Sequence, residues 1–275
     1  MVKNNRKRFD QIARDIKSIK IQGARNIAKS AFQAYSLVPT KDSIKKLLSL
    51  RPTEPMLEKV LNLVGKKSNE EIINHFDSAQ KEINKHVLKI INNKDKIFTH
   101  CHSTNVVNAL IFAKKAWKQF EVYNTETRPL FQGRRTAKEL KKAGIKVTMF
   151  IDSASAFALK KENKKDIIFA DKVFFGADAL LSNGIINKIG SGMIAEIAYN
   201  HKIPVYIVAD SWKFSKKKVP IENRKLNEIW NNAPKNIQVK NPAFEFVSKK
   251  HIAGIVTELG LMKYDDFVKR MRREK

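Results

Sequence analysis

The sequence predicts an α/β protein, with a helical N-terminal domain followed by a Rossmann-like domain built on a mostly parallel sheet. Three observations point to this class. Through the first ~95 residues, apolar side chains recur at helical spacing. From residue 96 onward, short apolar runs alternate with helical stretches, which implies parallel strands joined by crossover helices. Glycine divides in the same way: Gly23 and Gly65 fall in the first part, and the other eight lie beyond residue 130. The expected domains are residues 1–95 and 96–275, with the boundary near Asn93–Lys96. A length of 275 residues suits one large or two modest domains, at roughly 100–200 residues per domain.

In the first part, Phe9, Ile12, Ala13, Ile16 and Ile19 form one helical stripe, and Ala24, Ile27, Ala28, Ala31 and Tyr35 a second. Met56, Val60 and Val64 suggest a third helix after Pro52 and Pro55; Phe76, Ala79, Ile83, Val87 and Ile90 suggest a long fourth. In the second part the expected strands are Lys96–His100, Phe120–Asn124, Lys146–Ile151, Lys172–Phe175, Pro204–Ala209 and Phe244–Val247. The expected helices are Asn105–Trp117, Thr136–Lys142, Ser153–Lys160, Ile189–His201 and Tyr264–Arg273.

Composition removes several function classes. With 43% hydrophobic residues the chain has the material for a core, which excludes a disordered basic tail. Cys101 is the single cysteine, so a disulfide-stapled secreted module is excluded and a reducing compartment is expected. No apolar run approaches the ~20 residues of a membrane span, and the N-terminus lacks the apolar stretch of a signal peptide. A soluble, cytoplasmic protein without membrane partners is expected. The 54 Lys+Arg against 27 Asp+Glu give a net charge of +27. Such a charge suits nucleic acid, a solvated lysine-rich surface, or a heavily phosphorylated small substrate. The lysines are scattered; the densest runs are Lys160–Lys161, Lys164–Lys165 and Lys216–Lys218. No nucleic-acid motif accompanies them, so that partner is possible but not favoured.

Ligands of such sheets bind outside the carboxyl ends of the strands, and here those ends are polar. Thr99–Ser103 follows the first strand, Thr125–Pro129 and Gln132–Gly133 the second, and Asp152–Ser153 the third. Gly176–Asp178, Asn183–Gly184 and Asn187–Lys188 follow the fourth, and Asp210–Lys213 the fifth. Cys101 lies between two histidines just before a helix, where thiol pKa values fall; the other reading is a small buried hydrophobe. His100 and His102 alternate with it, so their side chains do not converge as a tetrahedral metal site needs. Neither a metal nor a cofactor is called for. Gly190–Ala195 fits GxGxxA, an anion-binding or tight-packing helix start. Gly23, Ala24, Arg25 and Arg51 are candidate phosphate contacts or simply exposed charge near turns.

Taken together, THCHS at 99–103, TETRPLFQGRRTAKEL at 125–140, GADALLSNGIINKIGS at 176–191 and DSWKF at 210–214 resemble one superfamily. It contains archaeal ribose-1,5-bisphosphate isomerase, methylthioribose-1-phosphate isomerase and the alpha, beta and delta subunits of eukaryotic translation initiation factor 2B. The similarity runs from QGARNIAKSA at 22–31 through RPTEP at 51–55 to NPAFEFV at 241–247. The family's isomerases use a cysteine and an aspartate, matching Cys101 and Asp178, which the initiation-factor subunits generally lack. The short chain, the HCHS form of the cysteine motif and the SWKF segment are closer to the ribose-bisphosphate enzyme.

The resemblance therefore implies an aldose–ketose isomerase converting ribose 1,5-bisphosphate to ribulose 1,5-bisphosphate, in nucleotide (AMP) salvage. The alternative is a non-catalytic regulatory subunit like those of initiation factor 2B. By the same resemblance, Asp178 as an acid serves the ring oxygen and Cys101 as a thiolate takes the C2 proton; a hydride shift is the competing route. One phosphate of the pentose substrate would meet Gly23, Ala24, Arg25 and Arg51. The other would meet Ser103, Thr104, Asn105, Asn187, Lys188 and Lys213, with Arg128 and Gln132 holding sugar hydroxyls or ordering their motif. The family usually shows Arg-Gly-Ala-Gly where this chain has Gln22-Gly23-Ala24-Arg25, so an arginine is lost and another appears three residues on. A homo-oligomer, dimer or hexamer, is also implied, built from dimers through the α/β domain, with Phe244, Phe246 and Ile252 as apolar material.

Overall fold

The computed structural model describes residues 2–159 and 169–273. The lysine runs at 160–161 and 164–165 lie outside the described residues. Five helices come first: α1 (Val2–Lys17), α2 (Ala24–Leu37), α3 (Lys41–Leu50), α4 (Pro55–Leu63) and α5 (Asn69–Ile90). Four had been expected. The extra one, α3, is short and presents only Ser43 and Leu47 as buried residues, too little apolar periodicity to read. It starts where the Thr40 hydroxyl accepts from the Ser43 N–H at 3.1 Å, an N-cap that satisfies one orphan donor of the first turn. A reciprocal capping box of Ser68 and Glu71 opens α5. Ile19, placed on the first stripe, lies beyond α1 with φ 66°, because the helix has ended.

The remainder runs β1 (Asp95–Thr99), α6 (Thr104–Lys115), β2 (Phe120–Thr125), α7 (Gln132–Lys142), β3 (Lys146–Phe150) and β4 (Lys172–Phe175). Then come β5 (Ala179–Leu180), β6 (Gly184–Lys188), α8 (Ser191–Asn200), β7 (Val205–Val208), β8 (Phe244–Ser248), β9 (Gly254–Thr257), β10 (Gly260–Met262) and α9 (Tyr264–Arg273). Seven strands form one sheet in the order β3-β2-β1-β4-β7-β9-β10, and β5-β6-β8 form a second, smaller one. Every pairing in the large sheet is parallel except β9 with β10. The first six strands thus have the doubly wound order, whose direction reverses between β1 and β4.

Alternating side chains cover both faces of this sheet. Ile97, Phe174, Val208 and Val256 face the cluster that contains Ile83, Val87, Val106 and Leu110 of α5 and α6. Phe98, Val173, Phe175, Ile207 and Ile255 face the cluster of Ile194, Ala198, Phe267 and Met271 from α8 and α9. A parallel strand buried on both faces reads as a near-continuous apolar run, which is why β1, β4 and β7 were legible; β9, equally buried, was not expected. Two further clusters hold the N-terminal helices together, one around Phe9, Ile27 and Leu47 and one around Phe32, Met56 and Phe76. Trp212 packs against the latter and stacks on His75 with ring centroids 3.5 Å apart, so the helical region seats against the carboxyl edge of the sheet.

Two expectations need correction. Phe244–Val247 is a strand, but it pairs antiparallel with β6 in the small sheet. Ser153–Lys160 is not an α-helix; Asp152–Ala158 form a 3₁₀ helix, and Lys160 lies outside the described residues.

Candidate active site

The reversal between β1 and β4 opens a crevice beyond their carboxyl ends. Cys101 follows β1 and Asp178 follows β4. They line one cleft with His100, His102, Ser103, Thr104, Asn105, Gln132, Asn187, Lys188 and Lys213 from the sheet side. Gln22, Gly23, Ala24, Arg25, Arg51 and Glu54 close the cleft from the helical side. All the sequence-predicted site residues meet here except Arg128, which is exposed and stacks its guanidinium over Phe131 at 5.2 Å. Its backbone N–H, with that of Thr127, donates to the Asp152 carboxylate at 2.6 and 2.8 Å. The third strand end therefore braces the second rather than lining the cleft. Of Asn183–Gly184, also suspected, Asn183 lies in the turn after β5 and Gly184 opens β6.

Cys101 sits at φ 68°, a left-handed conformation that costs a non-glycine residue about 1–3 kcal/mol and persists only where neighbours enforce it. Threonine hydroxyls supply the enforcement. The Cys101 N–H donates to Thr127 Oγ1 at 2.9 Å, and its carbonyl accepts from Thr136 Oγ1 at 2.9 Å. Thr127 Oγ1 lies 3.3 Å from Thr125 Oγ1, which is 2.5 Å from His100 Nδ1. His100 Nε2 is 2.8 Å from the Ile189 carbonyl, which can only accept. This fixes the Nε2–H tautomer, with Thr125 donating to Nδ1. By the same logic Thr136, having given its proton to Cys101, accepts from His102 Nδ1 at 3.0 Å. Burial holds both imidazoles below the usual histidine range, His102 at about 4, so both are neutral. These histidines orient the loop; they were read only as disfavoured metal ligands.

The cleft is strongly cationic. Arg25, Arg51, Arg135, Lys188, Lys213 and Arg224 line it against Glu54 and Asp178. Several cations are already engaged. Arg25 donates to Asp77 at 2.6 Å, and Lys213 Nζ donates to the Ala177 carbonyl at 2.7 Å. Arg224 pairs with Glu228 at 3.1 Å and Glu222 at 3.6 Å. Lys188 differs. It is buried, its ammonium lies 4.7 Å from the Phe244 ring centroid, and it has no carboxylate or carbonyl partner among the described residues. Phe244 is thus a wall of the cleft, and Ile252 belongs to the core. Of the three residues offered for an interface, only Phe246 is exposed.

Two helix N-termini open onto the cleft. Gly23, at φ 83°, caps α2, and Ser103 caps α6, accepting from the Val106 N–H at 3.5 Å. Backbone N–H groups at such ends favour phosphate. The start of α8 does not serve this way: the Gly192 N–H donates to Glu245 at 2.8 Å. Gly190, at φ 100°, brings its Cα against His100, so that a Cβ there would lie 3.2 Å from Nε2. GxGxxA is therefore a packing feature, and it follows a buried strand, β6, that went unread. Asn187 likewise donates to Ser191 Oγ at 2.9 Å, and Asn105 donates to Gln80 Oε1 at 2.9 Å.

Burial pushes the Cys101 thiol up to about 11, against the pull of Lys188. Burial also raises Asp178, while Lys213, Lys188 and Arg51 lower it. Behind the cleft, His75, Asp210 and Glu258 bring ligand atoms within 4.8 Å of one another. All three are already bonded within the protein: His75 to Asp210 at 3.0 Å, Asp210 to the Trp212 N–H at 2.9 Å, and Glu258 to Ser211. They clamp α5 to the ends of β7 and β9.

The comparisons agree with this architecture. The model of the initiation factor 2 subunit family matches residues 8–264. A ribose 1,5-bisphosphate isomerase of Archaeoglobus fulgidus is 32% identical, covering 91% of this chain and 88% of its own length. A methylthioribose-1-phosphate isomerase of Fervidobacterium nodosum is 30% identical, covering 97% of this chain and 78% of its own. The crystal structure of translation initiation factor eIF-2B from Pyrococcus horikoshii superposes with a TM-score of 0.78 at 24% identity, over 93% of this chain and 97% of that one. With a cleft at the β1–β4 reversal, a doubly wound sheet under N-terminal helices and a family match across nearly its whole length, the chain belongs to the initiation factor 2 subunit family.

Proposed function

We propose that the chain is a sugar-phosphate isomerase that converts ribose 1,5-bisphosphate to ribulose 1,5-bisphosphate, with Cys101 and Asp178 carrying the proton transfers. The observation that carries this reading is the meeting of those two residues in a cleft with two helix N-termini and six cationic side chains. Two phosphates need two anion subsites. Gly23, Ala24, Arg25 and Arg51 supply one; Ser103, Thr104, Asn105, Lys188 and Lys213 supply the other, with Asn187 and Gln132 on the walls between. Relatives named as ribose 1,5-bisphosphate and methylthioribose-1-phosphate isomerases support the reaction class, and the two helix N-termini at the cleft favour the bisphosphate.

The chemistry requires an acid at the ring oxygen and a base at C2. The raised pKa of Asp178 suits a carboxylic acid. It protonates the ring oxygen as the C1–O bond breaks. Cys101, as thiolate, takes the C2 proton, leaving an enol phosphate between C1 and C2. Asp178, now a carboxylate, accepts the C2 hydroxyl proton while the Cys101 thiol returns its proton to C1. Each group ends as it began, and no net proton is gained or lost. Lys188 is the charge that favours the thiolate.

We further propose a homo-oligomer. Leu226, Trp230 and Ile237, all exposed, join Phe246 as apolar surface suited to a second copy. Incubation with ribose 1,5-bisphosphate, and separately with methylthioribose 1-phosphate, tests the function. Formation of ribulose 1,5-bisphosphate is expected; faster turnover of the monophosphate would reassign the substrate, and no conversion of either would remove the enzymatic reading.

A further inference from the structure

Glu54 is a buried carboxyl of the cleft that the reaction leaves unused. It occupies the N-cap position of α4 but caps nothing with its side chain, and it is 3% exposed. Its Oε1 lies 3.4 Å from Arg51 Nη2, which also meets Glu222 at 2.8 Å. Among the described residues its buried Oε2 has no hydrogen-bond partner, and neither do Arg51 Nε and Nη1. One carboxyl oxygen and two guanidinium nitrogens therefore stand unsatisfied together in the wall of a cleft. Buried polar groups rarely stay unpaired, and the several oxygens of a bound phosphate can remove the deficit.

We propose that Glu54 is a substrate-positioning residue whose protonated carboxyl donates to the same phosphate that Arg51 holds, making phosphate binding at this end of the cleft proton-coupled. The inference rests on the sugar-phosphate reading of the cleft. A carboxylate at this position would repel a phosphate dianion; a carboxyl adds a donor beside the guanidinium. The charged groups facing Glu54 are Asp178 beyond β4, Lys213 beyond β7, Glu222 from the segment before β8, and Arg51. Burial first, then Asp178, pushes Glu54 up to about 8, against the pull of Arg51 and Lys213. The carboxyl form therefore prevails at neutral pH.

Calorimetric titration of the full chain with ribulose 1,5-bisphosphate, and in parallel with inorganic pyrophosphate, between pH 7 and 9.5 tests this. Wild-type affinity should be level to about pH 8 and then fall, approaching tenfold per pH unit. Glu54→Gln, which keeps a donor and cannot ionise, should bind within about threefold of wild type at pH 7 and lose that fall. Glu54→Ala, checked for folding by circular dichroism, should bind at least about tenfold more weakly at pH 7. The same decline above pH 8 in Glu54→Gln, or wild-type affinity in Glu54→Ala, would overturn the proposal. Pyrophosphate keeps the two readings apart: proton-coupled pyrophosphate binding without turnover of the pentose bisphosphate would sink the isomerase and leave Glu54 in its role. Absence of binding to either probe would overturn both.

Discussion

Among the lysines of a +27 chain, Lys188 is buried in the cleft without an ion-pair partner among the described residues, whereas Lys217 is 75% exposed and paired with Glu58 at 2.5 Å. Removing a charge that meets a desolvated phosphate costs about 2–5 kcal/mol, while an exposed pair is worth about 0–1 kcal/mol. Lys188→Ala should therefore raise KM at least about thirtyfold and Lys217→Ala less than about threefold. Equal, salt-dependent losses of RNA affinity in both variants, with KM unchanged, would instead assign the charge to a polyanion surface. Cys101 gives a second prediction. Its thiol stands at about 11, against roughly 8.5 for a free one, so the thiolate fraction grows with pH throughout the neutral range. Alkylation by iodoacetamide should keep rising past pH 9. A plateau near pH 8 would show a thiol that burial does not control. At this scale the sequence was informative where residues belong to long strings: Cys101, Asp178 and Lys188 stood in quoted motifs. Glu54 stood in one too, in RPTEP, yet nothing in its string distinguishes a buried carboxyl from an exposed one; only the folded cleft, with α4 against the Ser211–Lys213 segment beyond β7, does that. Arg135 and Arg224 went unread for the same reason.

At the scale of elements, Gly176, just beyond β4, packs against the N-cap of α6. A Cβ there would lie 2.5 Å from Ser103 Oγ and 2.6 Å from Ser103 Cβ, and Ser103 caps α6 beside the cleft. Overpacking of this kind costs about 1–3 kcal/mol, so Gly176→Ala should lower the melting temperature by several degrees and raise KM. Thermal unfolding and steady-state kinetics check it; a variant with both unchanged would show that the strand end and the helix cap are not in contact as described. β1, β2, β4 and β7 of the large sheet were readable because burial on two faces makes them near-continuously apolar, whereas β9 and β10 of the same sheet went unread. The small sheet was hidden: β5 has two residues, and β6 carries Asn187 and Lys188 at its end, so it reads as loop although all five of its residues are buried. β8 was visible as a strand but not as a partner of β6, since antiparallel pairing across more than fifty residues leaves no local pattern.

For the whole molecule, the exposed Leu226, Trp230 and Ile237 lie in the long passage between β7 and β8, and they are the apolar surface on which the proposed homo-oligomer rests. Light scattering at micromolar concentration should give at least a dimer's mass, and Trp230→Glu should shift the population toward monomer. A wild-type monomer would contradict the homo-oligomer. The overall order of helices before a doubly wound sheet was legible from periodicity alone. How α5 bridges the two was not, because its helical stripe looks the same whether it faces helices or a sheet: Phe76 packs among the N-terminal helices, and Ile83 and Val87 against the sheet. The central claim is that this cleft isomerises a pentose bisphosphate through Cys101 and Asp178. Its most direct test follows ribulose 1,5-bisphosphate formation from ribose 1,5-bisphosphate by the wild type, Cys101→Ser and Asp178→Asn, with folding checked by circular dichroism. The account predicts turnover by the wild type and at least about a hundredfold loss in each variant, with the fold intact; activity within tenfold of wild type in either would contradict it.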